Sequence, residues 1–184
     1  MSFRSLNNIG GWLVFVISLI TFTLTVEPTA SFWDCGEFIA CAYKLQVPHP
    51  AGAPFFLLIG RIASMFAGSD VTIVALMVNM VSVLASAFTI LFMFWTISLI
   101  GRKMLSKNAE NINFGETVLV LGAALVGSLV YNFSESFWFS AVEAEVYGMS
   151  SFFTAIVVWA AFRWELIENP AAQNKWLLLV AYLV

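Results

Sequence analysis

The segment Ser31-Phe32-Trp33-Asp34-Cys35-Gly36-Glu37-Phe38 places two carboxylates three residues apart among aromatic side chains. On a helix, Asp34 and Glu37 would share one face. In a partly desolvated pocket one of them would have a raised pKa and act as a general base near neutral pH. The same spacing also fits two solvated loop acids, since D-x-x-E pairs are common. His49, the single histidine, sits between Pro48 and Pro50. That rigid setting suits either a proton-exchanging side chain or a structural turn histidine. With no second histidine and no C-x-x-C spacing, no metal is assigned. Further on, Ala141-Val142-Glu143-Ala144-Glu145-Val146-Tyr147 alternates apolar and acidic positions. Glu143 and Glu145 are functional candidates if they face inward and interfacial acids if they face water. Trp33, Trp138 and Tyr147 suit an aromatic belt at a membrane surface, which needs no substrate.

What must position these residues follows from composition. Of 184 residues, 61% are hydrophobic and 10% charged, against about a quarter charged in soluble domains. A water-soluble fold is excluded on that basis, and the chain reads as an all-α, polytopic integral membrane protein. A net charge of −3, without a basic tail or a basic-aromatic pattern, excludes nucleic-acid binding. Cys35 and Cys41 are six apart, too far for a disulfide if the segment is helical, and read as free packing residues.

A bilayer core of roughly 30 Å needs about 20 apolar residues per helix. Four segments qualify, at about 9–26, 73–100, 117–133 and 148–164, and a fifth apolar run begins at Trp176 and stops at Val184, as at the start of a longer protein. The first exceeds a signal-peptide core in length and lacks a convincing cleavage site, so it reads as an uncleaved helix. Loops at 27–72 and 134–147 separate the spans, the whole forming a single transmembrane domain over 1–184. Within the first loop, the Pro48-His49-Pro50 and Gly52-Ala53-Pro54 clusters force a turn. Residues 55–67 then form a helix too short to cross, interrupted by Arg61, as an interfacial helix would be. Gly122, Gly127 and Ser128 in the third span are of the size that lets membrane helices approach.

Lys and Arg are retained on the cytoplasmic side. With the amino terminus inside, Arg4, Arg102, Lys103, Lys107, Arg163 and Lys175 are cytoplasmic, against Lys44 and Arg61 outside. Seven acids then lie outside: Glu27, Asp34, Glu37, Asp70, Glu135, Glu143 and Glu145.

The order of a single span, a long acidic external loop, a His-Pro and Gly-x-Pro turn, a short amphipathic helix and a second span resembles the GT-C glycosyltransferases. The segments SFWDCGEFIACAYKLQVPHPAGAPFFLLIGR and FWFSAVEAEVYGMSSFF look like a bacterial membrane-protein family, frequent in Bacteroidota, related to protein O-mannosyltransferases. The resemblance covers essentially the whole chain. It implies a GT-C-like amino-terminal portion with a long first extracytoplasmic loop, in the inner membrane, and a site on the periplasmic side. It also implies a polyprenyl-phosphate-linked sugar donor in the membrane lipid, carrying mannose by analogy with the O-mannosyltransferases, and an extracytoplasmic acceptor, most simply a protein. No further cofactor is implied, and a divalent-metal requirement is left open. Asp34 would be the base, Glu37 a second acid orienting it or the acceptor, and His49 a contact to sugar or lipid phosphate. Arg61 suits a phosphate, while Glu143, Glu145, Trp33 and Tyr147 would complete the substrate cavity. The chain has D-x-x-E where the better-studied mannosyltransferases have adjacent Asp-Glu, which leaves the base open between Asp34 and Glu37.

Two other classes fit parts of the pattern. A transporter or flippase-like protein would line a polar path with its acids, yet the spans carry no charge near their centres. A non-catalytic membrane subunit would use Phe32, Trp33 and Trp138 to grip a partner.

Overall fold

The structure is a computed structural model that describes residues 2–50, 52–105, 112–167 and 169–183. Among these residues every regular element is helical. The helices are α1 (Phe3–Thr25), α2 (Cys35–Lys44), α3 (Pro54–Met65), α4 (Val74–Leu105), α5 (Phe114–Asn132), α6 (Glu135–Ala141), α7 (Val146–Glu165) and α8 (Pro170–Leu183). A 3-10 turn, Val71–Ile73, leads into α4. Lys107, assigned above to the cytoplasmic side, lies outside the described residues, as does Val184.

α1, α4, α5 and α7 are long and apolar enough to cross a membrane. At 1.5 Å per residue, the 23 residues of α1 span about 35 Å, more than a bilayer core. The protein is thus a multi-pass helical membrane protein. α4 is the buried member: 61% of its most apolar window is buried, against 22%, 22% and 17% for α1, α5 and α7. This follows from its sequence, apolar on every side and free of charge until Arg102. By contrast, α1 and α5 expose Ile9, Leu13, Ile20 and Leu24, and Val118, Leu119, Val126 and Val130, as lipid-facing surfaces do.

The chain divides into two compact units. One comprises residues 1–17, 88–132 and 152–184. Here Gly10 and Gly11 let α1 lie against the rings of Phe94 and Trp95, where a Cβ would come within 2.6 and 2.3 Å of a ring atom. Gly127 approaches Ile97 in the same way, whereas Gly122 faces open space. Aromatic contacts run from Trp12 through Trp95 and Trp159 to Trp176. α5 starts with a reciprocal cap: Glu116 N–H donates to Asn113 Oδ1 (2.9 Å) and Asn113 N–H to Glu116 Oε2 (2.8 Å).

The second unit comprises residues 18–87 and 133–151, and so contains both acid-bearing segments. Its long loop is mostly structured. α2 ends at Leu45, whose left-handed φ of 52° lets its N–H return to the α2 carbonyls. Pro54 opens α3, where a missing N–H costs nothing. Phe38 meets Phe56 edge-on at 5.8 Å, and Gly60 brings α3 against Ala42 and Val78. The 134–147 segment contains a helix, α6, whose Trp138 Nε1 donates to Thr25 Oγ1 (3.0 Å) and whose Phe137 packs on Phe22.

Gly148, in the first turn of α7, has no room for a side chain. A Cβ there would stand 3.0 Å from Ser86 Oγ and 3.4 Å from the carbonyls of Ser82 and Ser140. Backbone cannot move aside cheaply, so Gly148→Val should lower stability by about 1–3 kcal/mol, read as a drop in the thermal unfolding midpoint of the detergent-solubilised protein. Gly122→Val should leave that midpoint nearly unchanged.

Candidate active site

The Glu27–Cys35 stretch is held in place by bonds that its own sequence does not contain. Asn79, fully buried in α4, donates through Nδ2 to the carbonyls of Glu27 (2.5 Å) and Thr29 (3.0 Å). The Glu27 N–H donates to the Val142 carbonyl (2.9 Å). These bonds bring the start of the first loop alongside the Glu143–Glu145 segment.

Glu143 and Glu145 are 4% and 7% exposed, so both side chains face inward and not water. Buried carboxylates need donors. Ser31 Oγ–H donates to Glu143 Oε2, and the Cys35 thiol donates to Glu145 Oε1 (3.5 Å). Ser82 Oγ–H donates to the Glu145 carbonyl (3.3 Å). Burial pushes the Cys35 thiol up to about 12, which keeps its proton available for that bond. Both cysteines are free. Burial also raises the Glu145 carboxyl above the ordinary range, with the charges of Glu143 and Asp34 adding to the effect and the Cys35 bond opposing it.

Trp33, Asp34, Phe139, Ser140, Glu143, Glu145 and Tyr147 line one cavity of about 210 Å³. Five residues singled out from sequence thus meet there. Trp33 adopts a left-handed φ of 64°, unusual for a bulky residue, and the turn hands the chain to Asp34 at the amino end of α2. Asp34 stands where an aspartate commonly caps a helix with its side chain, but makes no such bond. Its carboxylate, about half exposed, remains turned to the cavity.

Glu37, in the first turn of α2, grips His49 with both oxygens. Oε1 accepts from the His49 backbone N–H (2.7 Å) and Oε2 pairs with Nδ1 (2.8 Å). The opposite ring nitrogen, Nε2, lies 3.9 Å from Asp34 Oδ2. The bond to Glu37 and its negative charge raise the imidazole above its usual value, with Asp34 and Glu145 contributing, and the same contacts lower Glu37. One ligand atom from each of Asp34, Glu37 and His49 falls within 4.8 Å of the others. This mixed oxygen and nitrogen set is compatible with a divalent cation.

Arg61 does not line the cavity. Its Nη1 donates to the Tyr43 carbonyl (2.8 Å) and approaches Ser64 Oγ (3.4 Å), with the guanidinium over the Tyr43 ring. The arginine thereby ties α3 to the end of α2. Sequence reasoning passed over Ser31, Cys35 as a donor, and Asn79. For Asn79 a signal existed: an amide in an otherwise apolar helix requires a partner.

Residues 34–184 match the family described as Protein O-mannosyl-transferase TMEM260 N-terminal domain. The chain belongs to that family. It is 25% identical over 146 residues, 79% of this chain, to a protein named Protein O-mannosyl-transferase tmem260 from Dictyostelium discoideum. It is 28% identical over 167 residues, 90% of this chain, to Protein O-mannosyl-transferase TMEM260 from Mus musculus. The matched regions cover 16% and 21% of those relatives' own lengths. No solved structure matches the chain. The TMEM260 match begins at Asp34 and takes in every other candidate residue except Trp33.

Two titrations test this geometry. The His49 imidazole should titrate above 6.5 by NMR and return toward that value in Glu37→Gln. The sign follows from the shifts: the pair is intact where His49 is charged and Glu37 ionised. It weakens as pH rises through the raised imidazole value and as pH falls through the lowered Glu37 value. Glu145 behaves oppositely to a paired carboxylate. Its raised value favours the fold at low pH, and that contribution is lost as pH climbs through it. Glu145→Gln, which retains an acceptor for the Cys35 thiol, should therefore flatten the decline of the unfolding midpoint from acid to alkaline pH.

Proposed function

We propose that this chain is the acceptor-activating part of a GT-C-type membrane glycosyltransferase. It would move mannose from a polyprenyl-phosphate donor onto a hydroxyl of an extracytoplasmic protein. The observation that carries the reading is the half-exposed Asp34 carboxylate, free of any capping bond, in a cavity lined by two buried glutamates. Family membership supports the coarse activity, and the resemblance to Bacteroidota proteins suggests the inner membrane, with the cavity on the periplasmic side.

In this mechanism Asp34 Oδ takes the proton of the acceptor hydroxyl as its oxygen attacks the sugar C1. The bond from C1 to the phosphate oxygen breaks on the opposite face. The electron pair leaves with polyprenyl phosphate, and the anomeric centre inverts. Glu37 acts through His49, holding the imidazole near Asp34 so that the carboxylate stays oriented. Glu145, whose carboxyl burial raises, and Glu143 would hydrogen-bond sugar hydroxyls. Trp33 and Tyr147, 86% and 62% exposed, supply apolar walls for the sugar or acceptor. Arg61, clamped through Nη1, presents its remaining guanidinium nitrogens to the donor phosphate.

General bases contribute roughly 10²–10⁴ in rate. Asp34→Asn in the whole protein should lower mannose transfer to an acceptor peptide by at least about 100-fold, with insertion and unfolding midpoint unchanged. Wild-type transfer by that variant would remove Asp34 as the base. A larger loss in Glu37→Gln than in Asp34→Asn would give the role to Glu37.

A further inference from the structure

Within the unit formed by residues 1–17, 88–132 and 152–184, a cavity of about 370 Å³ is lined by three arginines. That volume lies in the range of small-ligand sites, roughly 300–1,000 Å³. Arg4 comes from the first turn of α1, Arg102 from the last turns of α4 and Arg163 from the end of α7. Asn7, Asn8 and Ser98 add polar groups, Phe3, Trp95 and Trp159 apolar walls, and among the described residues no carboxylate lines it. A second cavity, of about 570 Å³, shares Phe3, Arg4 and Arg102.

Like charges gathered around one cavity repel, and Arg4 and Arg102 are close enough for their charges to act on Arg163. Aromatic faces offset only part of this. Arg102 lies 5.2 Å from the Phe3 ring centroid and Arg163 5.5 Å from that of Trp176, within cation–π range. The nearby Lys103 is different, being paired with Glu165. Nε of Arg163 is shielded from solvent and has no acceptor among the described residues, a costly state for a charged donor. Retention of positive charge on one side of a membrane accounts for the sign of these residues. It does not account for three of them converging on one cavity.

The geometry points to an anion site here, built for a phosphate group carried by a lipid headgroup or a soluble phosphate. Guanidinium forks match phosphate oxygens bidentately, and three forks around one cavity suit an anion with several equivalent oxygens better than a single carboxylate. Basic cavities between membrane helices are also where anionic headgroups lodge. The ligand would supply the acceptor that Arg163 Nε lacks and cancel the mutual repulsion. The site shares no residue with the Asp34 cavity and does not depend on the glycosyltransferase reading.

The test uses the whole protein in phosphatidylcholine nanodiscs, with phosphatidylglycerol or inorganic pyrophosphate added in separate arms. Retained lipid is read by native mass spectrometry and binding by the shift in unfolding midpoint. Phosphatidylglycerol should be retained and raise the midpoint, and Arg4→Gln and Arg102→Gln should each weaken this about tenfold. Lys175→Gln, outside the cavity, should not. Arg4, exposed in the first helical turn, gives a variant whose folding is not in question. Arginine-dependent stabilisation by pyrophosphate alone would assign the site to a soluble phosphate. Binding of neither ligand, or equal losses in Lys175→Gln and Arg4→Gln, would overturn the proposal.

Discussion

Two carboxylates, Glu143 and Glu145, are buried where a charge is costly, and the acid-bearing unit is organised around satisfying them. Ser31 and the Cys35 thiol must reach them, so the chain after α1 cannot wander. Asn79 and the Val142 carbonyl then take up the backbone groups of that stretch. The network must keep its donors against the buried acids, although Asn79 Oδ1 itself finds no partner among the described residues. The positions of Trp33 and Asp34 follow from that requirement.

The same network separates the acids by environment. Glu145 is pushed toward neutrality by burial, Glu37 is held ionised by His49, and Asp34 is half exposed with no capping bond. Carboxylates whose surroundings drive them apart in acidity are what acid–base chemistry at one pH requires. The left-handed Trp33, strained by about 1–3 kcal/mol, is tolerable because bonds on either side hold the turn. Membership of the TMEM260 amino-terminal domain family gives the cavity a chemical context, and the roles of its residues rest on the geometry.

The four spans were legible in the sequence, with ends displaced by up to six residues. The first, 9–26 by hydropathy, is α1, Phe3–Thr25, and 148–164 is α7, Val146–Glu165. The differences lie at the ends, where polar residues such as Asn7 and Asn8 continue a helix that hydropathy alone would stop. Within the long loop, Pro54 and the Pro-His-Pro cluster marked the turn before α3. α6 was not distinguished from loop, since seven residues carry too little periodicity to register.

Hydropathy and charge thus determined the number of spans and the acidic and basic character of the connecting segments, because membrane insertion reads those properties residue by residue. The pairing of Glu37 with His49 was decided only by the turn between α2 and α3, twelve residues apart in sequence. Likewise Ser31 and Glu143, 112 residues apart, meet because Asn79 ties the loop. That Arg61 gives Nη1 to the Tyr43 carbonyl, leaving its other nitrogens free of that bond, was also beyond what spacing could show. Spacing constrains neighbours along a helix, whereas a site assembled from four separate segments depends on which buried polar groups must find partners, and only the tertiary structure answers that.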